Sequence, residues 1–263
     1  MIMRSKFLQS RTPNFRLDFR VALCLSLIGG LASATLSDDQ PSRVAEARLL
    51  LRQAEQLIES GSYAQARLVL VRVINLAPNW LRPHGCLAVA YQAENDRDLA
   101  LVEYRTVQEG ILTGASQQVQ LLASYAAEVV WLINNERLTR HIPPLKLHPM
   151  LSFVANRHSE EMRDSGYFSH ESPQVEHRTP ADRFAEVFGF QPRRIAENIA
   201  RRYGTGVFSL TLENIRLSHK DLMASPGHRN NILSLDYTDL GVGLAANRNG
   251  DFWLTELFVS FTR

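Results

Sequence analysis

Cysteine is scarce in this sequence, and this scarcity limits how the fold can be stabilised. Of 263 residues only Cys24 and Cys86 are cysteine, and Cys24 lies in a segment that we expect to be removed. A single remaining thiol cannot form an intramolecular disulfide, which excludes a small disulfide-stabilised scaffold. The fold must therefore depend on an apolar core, and hydrophobic residues make up 45% of the chain, an ordinary share for a globular protein.

Net charge is also nearly absent. The chain has 29 Lys plus Arg against 27 Asp plus Glu, a formal net charge of +2, and the basic excess is concentrated in residues 1–20. Proteins that bind nucleic acid carry a marked basic patch or a high pI over the binding domain. The balance after residue 20 therefore argues against nucleic acid as a partner.

The apolar run from Val21 to Ala34 is too short to cross a bilayer comfortably, which takes about 20 residues. It has the length of a signal-peptide core, a basic stretch precedes it, and it ends in Ala32-Ser33-Ala34, a small-residue cleavage site. We interpret residues 1–34 as an export signal; an uncleaved membrane anchor and a buried core helix are the alternatives. Export without disulfides favours a bacterial periplasmic, cell-surface or secreted protein, membrane-anchored if the signal stays.

A pattern of small and large residues recurs after about 34 residues, the period of tetratricopeptide repeats. Small alanines fall where two helices would cross closely, and larger residues fall where they would fill the space between helices. We predict two such repeats over residues 43–110, which would dock a protein partner; a generic pair of helical hairpins is the alternative. Because about three repeats are normally needed, another helix or the next domain should cover the remaining surface. The recurring pairs are Ala54 and Ala88, Leu57 and Tyr91, Ala66 and Ala100, Leu70 and Tyr104, and Val73 and Val107.

The second half of the chain changes from helical to strand-like patterns. After a junction at Gly110–Ser116, helices are predicted over 119–138 and 151–162. Apolar, β-prone runs at 240–246 and 252–261 are separated by a segment containing Asn249-Gly250, a strong hairpin signal. With a further strand near 194–201, predicted to be central in the sheet, this order indicates an α+β layered domain.

Several short motifs follow one another over residues 117–263, and together they resemble the bacterial branch of the CAP superfamily, which groups cysteine-rich secretory proteins, antigen 5 and pathogenesis-related 1 proteins. The resemblance implies an α-β-α sandwich with a central cleft, preceded here by the all-α repeat array. In chain order the motifs are NNER (Asn134–Arg137), PLKLHPML (Pro144–Leu151), HSEEM (His158–Met162), YFSHESP (Tyr167–Pro173), AENIA (Ala196–Ala200), SPGHRNNIL (Ser225–Leu233) and LGVGLA (Leu240–Ala245).

The resemblance also implies which residues line the cleft. Family members place two histidines and two acids there, and the matching positions are His170, Glu197 and His228. The second acid has no counterpart, because Ser225 stands three residues before His228. Leu222 replaces a tryptophan that is frequent in bacterial members, and Ala196 replaces a glycine.

The chemistry of these three side chains leaves several roles open. Two neutral imidazoles and a carboxylate suit zinc or another divalent cation, with positions left for water, which the metal would acidify into a nucleophile. Without metal, His and Glu serve as acid and base, or all three form a structural hydrogen-bond network. For zinc, the nitrogens of His170 and His228 should lie within about 4 Å of each other, with Glu197 beside them as a third ligand or as the acceptor of an imidazole N–H.

The remaining titratable residues give weaker signals. His158 is expected at the cleft rim or in solvent. Glu213 and Glu256 are candidates for an acid in the cleft, but we expect solvated or hydrogen-bonded edge positions for both. Surface positions are expected for the other five histidines, which are His84, His141, His148, His177 and His219.

Two functions of different classes remain. The first, which we favour, is an exported binding protein whose cleft holds a lipid, a cell-wall fragment or a peptide. The alternative is a metal-assisted hydrolase, protease-like or directed at the cell wall, with His170, Glu197 and His228 as catalytic residues. The missing second acid and the absence of a nucleophile beside a base favour binding, since one fold hosts many functions.

The signal interpretation makes a direct prediction. Protein expressed from the whole sequence in a bacterial host should begin at or near Thr35, because the apolar run ends in Ala-Ser-Ala. Intact-mass spectrometry of the purified protein measures this. A mass that still includes residues 21–34 would establish an anchor instead.

Overall fold

The structure is a computed structural model, and it describes residues 40–112, 116–203 and 210–261. The predicted export signal lies outside these ranges. No described helix is both long and apolar enough to span a membrane. The helices are α1 (Gln40–Glu59), α2 (Tyr63–Leu76), α3 (Leu81–Ala93), α4 (Arg97–Ile111), α5 (Gln117–Leu138), α6 (Pro149–Ser165), α7 (Pro180–Phe188), α8 (Leu212–Ala224) and α9 (Pro226–Leu233), and the strands are β1 (Lys146–Leu147), β2 (Arg194–Arg202), β3 (Asp239–Ala246) and β4 (Phe252–Ser260).

The first four helices occupy the region predicted to hold repeats. Asn95 adopts a left-handed backbone with φ of 63° before α4, and the Asp96 side chain caps that helix by accepting from the Leu99 N–H. Of the recurring pairs, all but Leu57 and Tyr91 are buried, with the alanines fully buried. The helical content is confirmed, whereas the tetratricopeptide identity of the array stays a prediction.

The array packs directly onto the second half of the chain, as its incomplete surface predicted. Its helices α3 and α4 lie against β1, α5 and α6, and buried residues from both halves form one continuous hydrophobic cluster. Buried polar groups also join the halves. The Asn134 side chain donates to the Tyr104 hydroxyl (2.9 Å) and to the Leu145 carbonyl (2.9 Å), and it accepts from the Leu145 N–H (2.7 Å).

The sheet has the strand order β1-β3-β4-β2. β1 is parallel to β3, and β4 pairs antiparallel with both β3 and β2. The strand predicted near 194–201 exists, but its predicted central position was wrong: β4 is central and β2 lies at the edge. The β3–β4 hairpin is confirmed, with Gly250 at φ 85° in its turn.

Helices cover both faces of the sheet. Helix α6 packs on β3 and β4, while α5 contacts β3 and α8 and α9 contact β2. The glycines of the LGVGLA motif permit the close approach of α6, because a Cβ at Gly241 or Gly243 would clash with the backbone of Leu151 or Ala155. The result is a mixed α+β fold whose sheet lies between two helical layers.

The buried alanines of the array allow a packing test. Ala66→Leu or Ala100→Leu should overpack a helix crossing and lower the free energy of unfolding by about 1–3 kcal/mol, since both side chains are fully buried. Urea denaturation measures the change. The matched control is Ala64→Leu, because Ala64 lies on the exposed face of the same helix as Ala66. Neutral results at both buried positions would contradict the close crossing.

Candidate functional site

The edge strand β2 supplies the centre of the candidate site. Successive residues of a strand point to opposite faces of the sheet, so Glu197 and Asn198 reach different helical layers. The Glu197 side chain meets Arg183 of α7 and the loop residue His170, whereas the Asn198 side chain meets α9. One dipeptide of the AENIA motif therefore organises both sides of the cleft.

Both oxygens of the Glu197 carboxylate already have partners. Arg183 donates to Oε2 at 2.7 Å, and Nδ1 of His170 lies 2.9 Å from Oε1. The Glu197 and Arg183 side chains are almost completely buried, but the His170 side chain is 48% exposed. The site thus combines a neutralised, buried carboxylate with an accessible imidazole.

Arg183 fixes the loop that carries His170. Besides its ion pair, the guanidinium donates to the carbonyls of His170 (3.2 Å) and Arg178 (3.1 Å). Its helix is well defined at the start, because Thr179 and Asp182 form a reciprocal capping box. Arg183 was not predicted as a site residue, although an arginine in the first turn of a capped helix next to the YFSHESP motif was visible in the sequence.

The expectation that His158 lies at the rim or in solvent was wrong. Its side chain is fully buried. Nε2 lies 3.1 Å from the Ser169 carbonyl, which only accepts, so Nε2 carries the proton, and Nε2 is also 3.7 Å from Glu197. Burial lowers the pKa of His158. The residue therefore holds the His170 loop from inside, in its neutral form.

His228 lies on the other side of β2, near the start of α9. The Asn198 side chain donates to the His228 carbonyl at 3.2 Å, and Asn231 donates to the Asn198 side-chain oxygen at 2.9 Å. Burial, and after it the neighbouring His170, lower the pKa of His228. Asn198 and Asn231, which follow the two cleft residues in sequence, thus fix the backbone that carries the imidazole.

Glu256 was expected at a solvated or hydrogen-bonded edge position. It is hydrogen-bonded, but it is fully buried on the central strand β4, directly opposite Asn198. Its Oε2 accepts from the Asn198 side chain at 3.0 Å. Burial raises the pKa of Glu256 to about 7, and the bond from Asn198 opposes that rise. Glu213, in contrast, is exposed on α8 as expected.

The predicted metal ligands are His170, Glu197 and His228. Within residues 40–112, 116–203 and 210–261, no group of three or more His, Cys, Asp or Glu is arranged to hold a metal ion. Glu197 uses its oxygens for Arg183 and His170. Glu197 as a third ligand would compete with Arg183 for the carboxylate, whereas its 2.9 Å contact with Nδ1 of His170 suits an acceptor of an imidazole N–H.

The expectation of a surface position holds for His141, which is exposed, but was wrong for His219. That ring is buried between α8 and α5, 3.9 Å from Glu136, and neither nitrogen has a hydrogen-bond partner among the described residues. The half-buried His148 caps α6 through the Met150 N–H and contacts aromatic rings. His84, also half-buried, pairs with Glu103 at 2.6 Å.

The site and the layers define a class of domain: a sheet between helical layers, with two histidines and a glutamate grouped about one edge strand. Residues 130–260 match the family model for CAP, the cysteine-rich secretory protein family. The match supports a domain of the CAP family in this region, within the range over which the motifs follow one another.

Two similar proteins come from Bacillus subtilis strain 168. The uncharacterized protein YkwD is 34% identical over 138 residues, which cover 52% of this chain and 48% of YkwD. The uncharacterized membrane protein YlbC is 32% identical over 118 residues, which cover 44% of this chain and 30% of YlbC. The chain therefore spans about half the length of one relative and less than a third of the other.

Two solved structures are also similar. One is an extracellular protein containing an SCP domain from Bacillus anthracis str. Ames, with 25% identity and a TM-score of 0.45 over 57% of this chain and 45% of that chain. The other is an outer surface protein from Borrelia burgdorferi, with 14% identity and a TM-score of 0.45 over 52% of this chain and 93% of that chain.

The ion pair at the centre of the site can be tested by breaking it. Arg183→Leu should lower the free energy of unfolding by about 3–5 kcal/mol, because it leaves the buried Glu197 without its counter-charge. Arg183→Leu combined with Glu197→Leu should recover most of that loss. The control is Arg178→Leu, whose exposed pair with Glu171 contributes about 0–1 kcal/mol. Equal effects of Arg183→Leu and Arg178→Leu would contradict the account.

His219 predicts a pH dependence of stability. Burial lowers its pKa to about 4, while the unfolded chain binds the proton below about 6.5. The free energy of unfolding should therefore fall as pH drops from about 6.5 to about 4, because the unfolded state then holds more protons. His219→Leu should reduce this slope by about one proton, whereas the exposed His141→Asn should not. Denaturant melts across this pH range measure the slopes.

Proposed function

We propose that this protein is an exported binding protein whose CAP cleft holds a ligand without cleaving it. The ligand class follows from the resemblance: a lipid, a cell-wall fragment or a peptide. His170 is the contact residue, since its side chain is half-exposed beside the buried carboxylate. Periplasmic, cell-surface or secreted placement is part of the proposal and depends on the predicted signal.

The engagement of Glu197 is the observation that supports binding over hydrolysis. A general base needs a carboxylate that is free to accept a proton from substrate or water. Glu197 is instead tied to Arg183 at 2.7 Å and to His170 at 2.9 Å. In this arrangement it anchors the loop beneath His170.

The alternative is a metal-dependent hydrolase. The feature that favours it is the proximity of the two imidazoles, since His170 contributes to lowering the pKa of His228 and neutral imidazoles bind zinc. A divalent cation would then sit between the histidines, with Glu197 released from Arg183. Zinc therefore remains a second proposal that the same experiment decides.

The helical array is proposed to dock a protein partner. Helices α3 and α4 are used by the CAP domain, so α1 and α2 offer the free surface. Three apolar side chains on these helices are exposed, Leu49, Leu68 and Val71. The proposed partner surface is therefore centred on the N-terminal hairpin of the array.

One set of measurements separates binding from hydrolysis. Soluble peptidoglycan fragments, phospholipid vesicles and a peptide mixture are each titrated into the protein before and after chelation, and hydrolysis of each is followed. We expect one probe to bind, and its binding should survive chelation. His170→Ala should weaken the affinity for that probe at least tenfold, which corresponds to about 1.4 kcal/mol of binding free energy. The control variant is the exposed His141→Ala.

Zinc calorimetry at neutral pH completes the test. If zinc binds, His228→Ala should abolish the binding and leave the fold intact, and affinity should fall below about pH 6.5 as imidazoles protonate. The binding proposal would be overturned in favour of the hydrolase if any probe is hydrolysed and this activity disappears both on chelation and in the Glu197→Gln variant. Unchanged zinc affinity in His228→Ala would place the metal elsewhere.

A further inference from the structure

A chain of buried and partly buried hydrogen bonds joins the centre of the sheet to the helix that carries His228. The Asn198 side-chain nitrogen donates one hydrogen to Glu256 Oε2 at 3.0 Å and the other to the His228 carbonyl at 3.2 Å. The Asn198 oxygen accepts from Asn231 at 2.9 Å. All hydrogen-bonding groups of this amide except one lone pair are used, so its orientation is fixed.

The Glu256 carboxyl has no charged partner. Its Oε1 is buried and has no hydrogen-bond partner among the described residues, and no described side chain forms an ion pair with it. The charged and titratable groups on the elements of this face are engaged with other groups or lie at the cleft. Among them are Arg194 and Arg202 on β2, paired with Asp236 and Asp221; His219 on α8, near Glu136; His228 on α9; and Glu128 and Arg137 on α5, bonded to Arg216 and to the Ile232 carbonyl.

The proton of this carboxyl therefore changes the strength of one bond. When Glu256 is ionised, the bond from Asn198 is charge-assisted, and such bonds are shorter and about twice as strong as neutral ones. When it is protonated, Asn198 donates to a neutral acceptor. The same nitrogen also donates to the His228 carbonyl. A change in its hydrogen bond to Glu256 therefore also changes its hydrogen bond to His228.

We infer that Glu256 is a positioning residue of the cleft, which acts through the Asn198 amide on the backbone of His228 and whose proton adjusts that backbone. Neither a metal nor a particular ligand is required. The change falls near neutral pH, since burial raises the pKa of Glu256 to about 7. Asn198 then fixes the His228 backbone more firmly above that pH than below it.

Nuclear magnetic resonance on the ¹⁵N-labelled protein tests this inference. Two signals are followed from pH 5.5 to 8.5 in steps of about 0.3: the Asn198 side-chain amide and the Arg229 backbone amide. The second reports on the His228 carbonyl, because that carbonyl and the Arg229 N–H belong to one planar peptide group. Both signals should show a single inflection near pH 7, and Glu256→Gln should remove it from both.

Glu256→Gln is the conservative variant, because its amide oxygen still accepts from Asn198 but has no proton to lose. A purely structural role would alter melting temperature without altering the pH profile. The matched control, Glu213→Gln, removes an exposed carboxyl on α8 and should keep the inflection. The inference is overturned if both signals titrate unchanged in Glu256→Gln, or if Asn198 shows the inflection and Arg229 does not.

Discussion

The buried ion pair between Glu197 and Arg183 is the constraint on which the cleft depends. Burial of an ionised carboxylate is costly unless a counter-charge and hydrogen bonds compensate it. Arg183 supplies the counter-charge and a hydrogen bond to Oε2 of Glu197, and it binds the loop carbonyls as well. His158 supports the same loop from below through the Ser169 carbonyl. The position of His170 therefore depends on the buried ion pair between Glu197 and Arg183, since both residues bond to His170.

The helical array packs against the second half of the chain, and the residues described between Gln40 and Phe261 belong to one compact unit. Asn134 illustrates the coupling, because its single side chain satisfies Tyr104 from the array and the backbone of Leu145 beside β1. A buried amide of this kind would be left unsatisfied if the halves separated. The array is therefore a structural part of the fold.

Much of this arrangement was accessible from the sequence. The helices and the final hairpin follow from periodicity and from Asn249-Gly250, and the motifs pointed to His170, Glu197 and His228. The burial of His158 was also visible: Leu151, Ala155, His158 and Met162 are spaced by four, three and four residues, which is one face of a helix. The polarity of histidine favoured an exposed position, whereas its place on the apolar face of the helix indicated a buried one.

Other features could not be predicted from pattern. Strand β4 is buried on both faces, so Glu256 stands in a continuous apolar run without the alternation that would mark its direction. The edge position of β2 depends on which strands pair, and local pattern does not encode pairing. The link from Asn198 to His228 spans distant segments, which meet only when α9 packs against β2.

The central claim is that Glu197 anchors the cleft through Arg183 and is neither a metal ligand nor a base. A crystal structure of the protein soaked in zinc at neutral pH, with anomalous diffraction recorded at the zinc edge, tests this most directly. The account predicts that Glu197 stays bonded to Arg183 and His170, with no anomalous peak bonded to its carboxylate. A peak between His170 and His228, with Glu197 turned from Arg183 towards the ion, would contradict it.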